Sequence, residues 1–406
     1  MQLADSSQIS PRPRFPALDP EPPPRPWRRA GVTLIVILVA VLGSLAGYSL
    51  SRTRTPHPKP ATVPVSFVRG LTGIVLAETP GSYLAATDMQ TGKTAVFKNL
   101  GQFSSNPGPT PSADGQYLLD ADVAKLLSLS SLDHPRTVPN ALSFSPGDMP
   151  GFMTNPWTDH DTGVVELHYP LGAAGLQATV PVAAVQFVRT GHSVSLGKAD
   201  AAAGDPQRTG AFIAAPRPGP ALPDGNQPDA SLVLADVGAR SRVLATTAQL
   251  CHVLGVKHAT TVSLVPIPNP QGSMVAVAVS TVRGRNYYSA GIVLLSRKGK
   301  VLGSQPGASA FSWTGWSHSG STLAFLGYSR SGPELTEWTP GVRTVTTALA
   351  ASSKIGPTAC VWSPDDAALA CDGGPHGDWL VVRSGTESVA DGQGQPLLWA
   401  SGRLGG

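Results

Sequence analysis

WSPDDAALAC, at Trp362–Cys371, is repeated with changes at Trp316–Phe325 as WSHSGSTLAF. In each copy an aromatic residue precedes a short turn of Ser, Pro, Asp or Gly, and an apolar run follows the turn. Such turn residues either fix φ or hydrogen-bond back to the backbone, so the pattern predicts a tight hairpin between two strands. A third copy, PSADGQYLLD, lies at Pro111–Asp120, and Asn269–Val277 is a weaker one.

The copies recur at a regular interval. Trp316 and Trp362 are 46 positions apart, and hairpin-like segments such as Gly291–Gly303 lie between the copies. A period of about 40–50 residues with four short strands is typical of a β-propeller blade. The sequence therefore predicts an all-β propeller of about seven four-stranded blades, with six or eight still open. Pro396–Trp399 is predicted to return to the first blade as its inner strand and close the ring.

The composition agrees with a folded, β-rich chain. Hydrophobic residues make up 41% and charged residues 14%, which excludes a disordered chain of high net charge. The 44 Gly and 39 Pro show no period of three, which excludes collagen, and they disfavour long helices. We expect many short strands joined by turns.

The turn motif also resembles that of a known family. WSPDD at Trp362–Asp366 and SADG at Ser112–Gly115 are similar to the WD40-like repeat of TolB-type propellers. The resemblance implies the fold over several blades. It implies no activity, because the family includes scaffolds, sensors and the non-catalytic domains of peptidases.

One segment predicts a membrane helix. Ala30–Leu50 is a run of 21 residues without a charge, long enough to span a hydrocarbon core of ~30 Å. Arg25, Arg28 and Arg29 precede it, which favours a cytoplasmic N-terminus and an exported C-terminal body. The alternative is a signal peptide cleaved after Ser44–Ala46.

The segments on either side of that run complete the predicted organisation. We expect a disordered Pro/Arg-rich cytoplasmic tail at 1–29, a transmembrane helix at 30–50, a Pro-rich linker at 51–64 and the propeller at 65–406. Gly43 and Gly47 form a GxxxG pattern, which could pair two helices in a homodimer or arise by chance in a Gly-rich span. The predicted location is the cell membrane, with one pass and the propeller outside.

The charge distribution narrows the class of partner. The net charge of +4 comes from the N-terminal segment, so the body lacks the basic excess of a nucleic-acid binder. Residues 237–333 contain nine Lys/Arg and no acid. Within them Arg283, Arg285, Tyr287 and Tyr288 combine cations and aromatic rings on one loop, a mixture enriched at interfaces. We predict that this loop binds a protein or an envelope polymer; the alternative is an ordinary solvated surface.

The cysteines allow one disulfide. Cys360 and Cys371 flank the WSPDD turn at nearly equivalent positions of two strands, where an oxidising exterior would permit a bond. The alternative is two small buried hydrophobic side chains, and Cys251 is left without a partner in either case.

No complete catalytic or cofactor motif is present in the sequence. GWSHS around Ser317 and GHSVS around Ser193 both lack the final Gly of a nucleophile elbow. Asp159-His160-Asp161, with Glu166 and His168 nearby, is the densest group of metal-ligand residue types, but nothing in the spacing indicates a closed coordination shell. We therefore predict no catalytic residue, no metal site and no cofactor.

The leading hypothesis is a membrane-anchored, exported propeller that acts as a non-enzymatic binding or scaffold module. One alternative is a propeller enzyme, such as a lyase or a glycoside-active protein, with its active site near the central channel. Another is an extracytoplasmic sensor that signals through the anchor.

Overall fold

A computed structural model describes residues 70–404 except 104–108, 113, 121–124, 133, 140–141, 143–147, 150–154, 160, 169–179, 221, 223–226, 258–260, 284–285, 309–312, 330–331, 351–355, 375–377, 391 and 393. In these residues, antiparallel sheets form a seven-bladed propeller of four-stranded blades, one of which carries an additional strand. This confirms the predicted fold class and blade number. We number the blades in chain order and letter the strands of each blade a to d from the innermost outward.

The first four blades hold strands β1 to β16. Blade 1 contains β1 (Ile74–Glu78), β2 (Leu84–Asp88) and β3 (Thr94–Val96). Blade 2 contains β4 (Thr110–Pro111), β5 (Tyr117–Asp120), β6 (Lys125–Ser128) and β7 (Arg136–Val138). Blade 3 contains β8 (Asp148–Met149), β9 (Trp157–Thr158), β10 (Gly163–His168), β11 (Val182–Phe187) and β12 (Ser193–Lys198). Blade 4 contains β13 (Ala201–Gly204), β14 (Gly210–Pro216), β15 (Asp229–Asp236) and β16 (Arg242–Thr246).

The remaining blades hold the longest strands. Helix α1 (Thr247–Val253) follows blade 4. Blade 5 contains β17 (Val262–Pro268), β18 (Met274–Arg283), β19 (Asn286–Ser296) and β20 (Val301–Pro306). Blade 6 contains β21 (Thr314–Trp316), β22 (Leu323–Ser329), β23 (Gly332–Thr339) and β24 (Arg343–Ala348). Blade 7 contains β25 (Cys360–Trp362), β26 (Leu369–Cys371), β27 (Trp379–Arg383) and β28 (Thr386–Ala390), and the last strand is β29 (Gln395–Ala400).

The C-terminal strand closes the ring, as the sequence predicts. β29 is the inner strand of blade 1 and runs antiparallel to β1, with Ile74 opposite Ala400 and Val75 opposite Trp399. The Trp399 side chain is buried, and its indole N–H donates to the carbonyl of Thr72 at 2.8 Å. The two ends of the propeller are therefore held in one sheet, and β1 has no unpaired edge.

The repeated sequence motif forms the turn between strands a and b. In four blades the residue after strand a accepts a hydrogen bond from the main-chain N–H five positions later: Ser112 from Tyr117 (2.9 Å), Asn269 from Met274 (2.9 Å), Ser317 from Thr322 (3.2 Å) and Ser363 from Ala368 (2.9 Å). Two residues on, Asp114 and Asp365 accept from the serine hydroxyl at 2.7 and 2.6 Å. The motif thus stabilises a turn, which explains why it indicates the fold and says nothing about an activity.

The hydrophobic core lies between neighbouring blades. Phe212 and Leu232 of blade 4 pack in one buried cluster with Leu264, Val277 and Val293 of blade 5, all of them almost fully shielded from water. Strands that are buried on both faces read as continuous apolar runs, which is why the middle strands of the blades show weak alternation.

The strand pairing defines where blade 3 ends and blade 4 begins. β11 pairs with β10 from Gly163 opposite Phe187 to His168 opposite Val182, so it belongs to blade 3. β12 continues the same sheet, and blade 4 begins only at Ala201. The aromatic turn motif is missing from this part of the chain, so the sequence carries no local signal for this boundary.

The two cysteines that flank the WSPDD turn face each other on β25 and β26. Cys360 and Cys371 are register partners, and the structure joins their sulfur atoms in a disulfide. Cys251, on α1, is buried with a free thiol, and burial raises its pKa.

Residues 64–406 form one compact unit, which contains both strands that close the ring. The predicted tail, membrane helix and linker at 1–29, 30–50 and 51–64, with Gly43 and Gly47, lie outside the described residues. Within the part of the chain that is described, no helix has the length and apolar character needed to cross a bilayer.

Candidate functional site

A cavity of about 240 Å³ lies on the propeller axis, where the inner strands of several blades converge. Its wall includes Pro268 of blade 5, Trp316 of blade 6, Trp362 of blade 7 and Leu398 of blade 1. These residues stand at or near the ends of strands a, so the cavity opens toward the rim that carries the a–b turns. The wall is largely apolar and aromatic.

Two tryptophans of this wall are held in place by hydrogen bonds between blades. The Trp316 indole N–H donates to the carbonyl of Ile267 at 2.9 Å, and the Trp362 indole N–H donates to that of Gly315 at 3.3 Å. Each ring thus ties its own inner strand to the preceding blade. Both indole N–H groups are thus bound to main-chain carbonyls, and the rings present only apolar surface to the cavity.

His318 is the one titratable side chain among the described residues of the cavity wall. Its Nδ1 lies 3.2 Å from Oδ1 of Asp366 in the adjacent blade. The same carboxylate accepts the main-chain N–H groups of His318 at 2.7 Å and Ser319 at 2.8 Å. Burial acts to raise the pKa of Asp366, but the hydrogen bonds from Ser319 and His318 outweigh it and lower that pKa. The pair therefore joins two turns and is not a free acid–base dyad.

We expect Asp366→Ala to lower the free energy of unfolding by about 1–2 kcal/mol at neutral pH, because two main-chain donors lose a charged acceptor. A carboxyl whose pKa is lowered by folding stabilises the protein above its unfolded pKa, and this contribution is lost as the pH falls through the folded pKa. The deficit of the variant should therefore shrink in acid. Denaturant unfolding at neutral and acid pH measures it; a deficit that stays constant with pH would contradict this role.

The predicted binding loop lies at the opposite rim, between strands b and c of blade 5. β17 pairs with β18 only as far as Thr281, and β20 pairs with β19 only from Gly291 onward. β18 ends two residues past Thr281, and Val282 and Arg283 pair there with Tyr287 and Asn286 of β19, so the tip of the β18–β19 hairpin extends past both neighbouring strands. Tyr287 and Tyr288 are on this hairpin, with exposed fractions of 36% and 47%. Adjacent strand residues point to opposite faces, so the hairpin offers one ring on each face.

The structure describes only one of the two arginines of the predicted loop. Arg283 is the last residue of β18 and is the register partner of Asn286. Arg285 lies outside the described residues. The backbone thus brings Arg283 to the tip of the hairpin that carries both tyrosines.

A third exposed tyrosine lies at the same rim on the neighbouring blade. Tyr328 is near the end of β22, where strand b of blade 6 approaches strand c, and 49% of it is exposed. Tyr328 is 40 positions from Tyr288 and carries no local motif, so the sequence alone does not connect it with the predicted loop. The blade period of roughly 45 residues could have identified it as a near equivalent.

Two acids of the residue group that resembles metal ligands have structural partners, one in the next blade and one within blade 3. Asp159 Oδ2 accepts from the Thr209 hydroxyl of blade 4 at 3.0 Å, and Glu166 Oε1 accepts from the Ser193 hydroxyl at 2.8 Å. His160 lies outside the described residues. Across the described ranges no three His, Cys, Asp or Glu side chains are grouped so that they could hold a metal ion.

The residues of the two incomplete nucleophile motifs also have structural partners. Ser317 accepts the turn hydrogen bond described above and lies 3.1 Å from the hydroxyl of Ser319. Ser193 donates to Glu166 from an exposed outer strand. Among the described residues, neither serine has a histidine as a hydrogen-bond partner.

The basic stretch includes one buried ion pair between blades. Arg297, in the c–d turn of blade 5, donates from Nη1 to Oδ1 of Asp205 at 2.6 Å, and its Nη2 contacts the other carboxylate oxygen. The Asp205 side chain is fully buried, whereas that of Arg297 is 17% exposed. The hydrogen bond to Asp205 raises the pKa of Arg297. This arginine is thus part of the scaffold.

No protein-family model and no curated protein matches this chain. Solved structures with a similar fold include an oligogalacturonate lyase in complex with manganese, at 15% identity and a TM-score of 0.50, over 77% of this chain and 83% of that chain. TolB from Acinetobacter baumannii is similar at 12% identity over 81% and 82% of the two chains, with a TM-score of 0.37. The propeller domain of Myceliophteria thermophila Cps50 (Swd1) is similar at 10% identity over 80% and 88%, with a TM-score of 0.40. At these identities the likeness concerns the fold alone.

Proposed function

We propose that this protein is a non-enzymatic binding module that takes a protein partner at the b–c rim of blades 5 and 6. The exposed tyrosines of the β18–β19 hairpin carry the proposal. Tyr287 and Tyr288 remain exposed on a regular, hydrogen-bonded hairpin, and Tyr328 is exposed at the same rim. Tyrosine and arginine are the residue types that most often dominate binding energy at protein interfaces. A rigid two-stranded support lowers the entropy lost when such side chains are immobilised.

The proposed module is exported and held at the membrane. Its support is the uncharged run at 30–50 with three arginines before it and the Pro-rich segment at 51–64 after it. Pairing of two chains through Gly43 and Gly47 would present two hairpins to one partner. The same anchor is compatible with a sensor, which would need a cytoplasmic partner for residues 1–29.

The residues that line the central cavity favour a binding function over a catalytic one. The described wall offers His318 but no carboxylate, and His318 shares Asp366 with two main-chain donors. General acid–base catalysis needs a proton donor and acceptor that are free to reach the substrate. A lyase or glycoside-active enzyme would require acids that converge on this cavity.

The test is a crosslinking pull-down from intact cells with the full-length chain, tagged at its C-terminal end. We expect one reproducible partner whose recovery falls at least tenfold in Tyr287→Ala/Tyr288→Ala, and also falls in Arg283→Ala/Arg285→Ala. Val96→Ala is the matched control, because Val96 is 47% exposed on the outer strand of blade 1. Undiminished recovery with the tyrosine variant would refute the proposed site.

A further inference from the structure

The c–d turns of blades 4, 5 and 6 share an unusual surface. Arg240 and Arg242 are exposed at the turn of blade 4, Lys298 and Lys300 at that of blade 5, and Arg343 at that of blade 6. These turns lie at the rim opposite the tyrosine hairpin, because turns c–d and b–c are at opposite ends of the strands. We call this surface the basic rim.

Exposed aliphatic side chains accompany the cations in each of the three turns. Val243 is 58% exposed, Val301 and Leu302 are each 40% exposed, and Val342 is 75% exposed. All four are at a c–d turn or in the first residues of the d strand that follows. Cations and aliphatic groups therefore repeat together from blade to blade.

Irregular strand pairing contributes to this exposure. In blade 5, Leu294 pairs with Gly303 and Leu295 with Val301, so the register skips Leu302. A β-bulge of this kind re-aims a side chain, and here two successive aliphatic residues reach solvent. The outer strand of blade 4 has a register shift at a position that corresponds to the shift in blade 5.

Few negative charges oppose the basic rim among the described residues. Asp205 is buried against Arg297, and Asp236 is bound by Arg208 at 3.2 Å. Glu337 is beside Arg343, and burial raises its pKa more than that arginine lowers it. In the described part of the chain, Arg240, Arg242, Lys298 and Lys300 are thus exposed without an ion pair to an acid, and Arg242 also donates to the carbonyl of Arg297 at 2.5 Å.

We propose that the basic rim docks onto an anionic lipid surface. Lys and Arg side chains near an anionic bilayer each add binding energy, while isolated aliphatic groups insert at the headgroup boundary. A soluble polyanion would use the cations but gain nothing from Val342 or Leu302. A protein interface would call for an aromatic core, and residues 237–243, 297–302 and 339–343 contain no aromatic residue.

The position of the rim supports this assignment. The described chain enters the propeller there, because Ile74 begins β1 opposite Ala400, at the end of strand a. The opposite rim, with its tyrosines, would face away from the lipid. The inference does not rest on the proposed function, since lipid docking and partner capture use different residues and are measured separately.

Residues 64–406 suit the test, because this compact unit contains the whole closed ring. Sedimentation with vesicles of phosphatidylcholine, with and without phosphatidylglycerol, measures binding. We expect binding to the anionic vesicles that weakens with added salt. Lys298→Ala/Lys300→Ala should weaken it about 25-fold, since each cation near such a surface is worth a factor of about five. Leu302→Ser/Val342→Ser should weaken it severalfold as well.

Lys198→Ala/Lys257→Ala is the matched control, with the same charge change at two exposed lysines near the opposite rim. Its vesicle binding should stay within about twofold of the parent protein. Equal binding to neutral vesicles, no binding to anionic ones, or an equal loss in the control would overturn the proposal. So would binding that survives Leu302→Ser/Val342→Ser unchanged, which would point to a polyanion.

Discussion

Truncation before Gln395 is expected to abolish the folded monomer. The deletion removes β29, leaves blade 1 with three strands and exposes the edge of β1. An unpaired strand edge of this kind pairs with other chains and leads to aggregation. Size-exclusion chromatography of the truncated protein should therefore show aggregate or no soluble material.

A point variant tests the same closure with less disruption. Trp399 is buried against blades 1 and 7, so Trp399→Ala should lower the free energy of unfolding by about 3–5 kcal/mol. Trp399→Phe keeps most of the volume but loses the hydrogen bond to Thr72, and should cost about 1–2 kcal/mol. Equilibrium denaturation measures both. A truncated chain that unfolds cooperatively with unchanged stability would show that closure by β29 does not hold the ring.

Arg297→Ala should lower the free energy of unfolding by about 3–5 kcal/mol, because it leaves the fully buried carboxylate of Asp205 without its counter-charge. The pair joins the a–b turn of blade 4 to the c–d turn of blade 5. The double variant Asp205→Ala/Arg297→Met should recover a substantial part of the loss, since neither residue then leaves a buried charge. Denaturant titrations of the three proteins give the comparison.

Arg208 provides the matched control for that prediction. It forms an ion pair with Asp236 at 3.2 Å, but its side chain is 65% exposed. Exposed pairs of this kind contribute about 0–1 kcal/mol, so Arg208→Ala should be nearly neutral. Equal losses for Arg208→Ala and Arg297→Ala would mean that burial of the Asp205 pair carries no special weight.

The features that the sequence predicts correctly are those with a local physical cause. The turn after Trp362 depends on side-chain hydrogen bonds that span only two to five residues, so its motif is visible in a short window. Repetition of that motif determines the period and hence the blade number. The closing strand at Pro396–Trp399 follows from counting, because an apolar segment remains after seven units.

Other features depend on neighbours that are distant along the chain. Asp205 and Arg297 are 92 residues apart, and His318 and Asp366 are 48 apart. No local pattern distinguishes these partners from other charged residues. The same is true of Tyr328, which joins the rim of the predicted loop only through the packing of blades 5 and 6, and of the axial cavity, which forms from the inner strands of several blades.

The basic stretch at 237–333 combines features that the sequence predicts with features that only the structure reveals. Its excess of cations is evident from the sequence, and successive turns of the blade place Arg283 at one rim and Arg297 and Lys298 at the other. The burial of Arg297 against blade 4, and the bulge that exposes Leu302, require the three-dimensional register. The sequence alone therefore identifies the charge but not which cations are available to a partner.

The central claim is that the β18–β19 hairpin of this protein is the surface that binds a partner. The most direct test places a photo-crosslinking amino acid at position 288 of the full-length chain in intact cells, and in parallel at position 96, where the native side chain is equally exposed. We predict a discrete crosslinked protein from position 288 and none from position 96. Crosslinks to the same proteins from both positions, or from neither, would contradict the account.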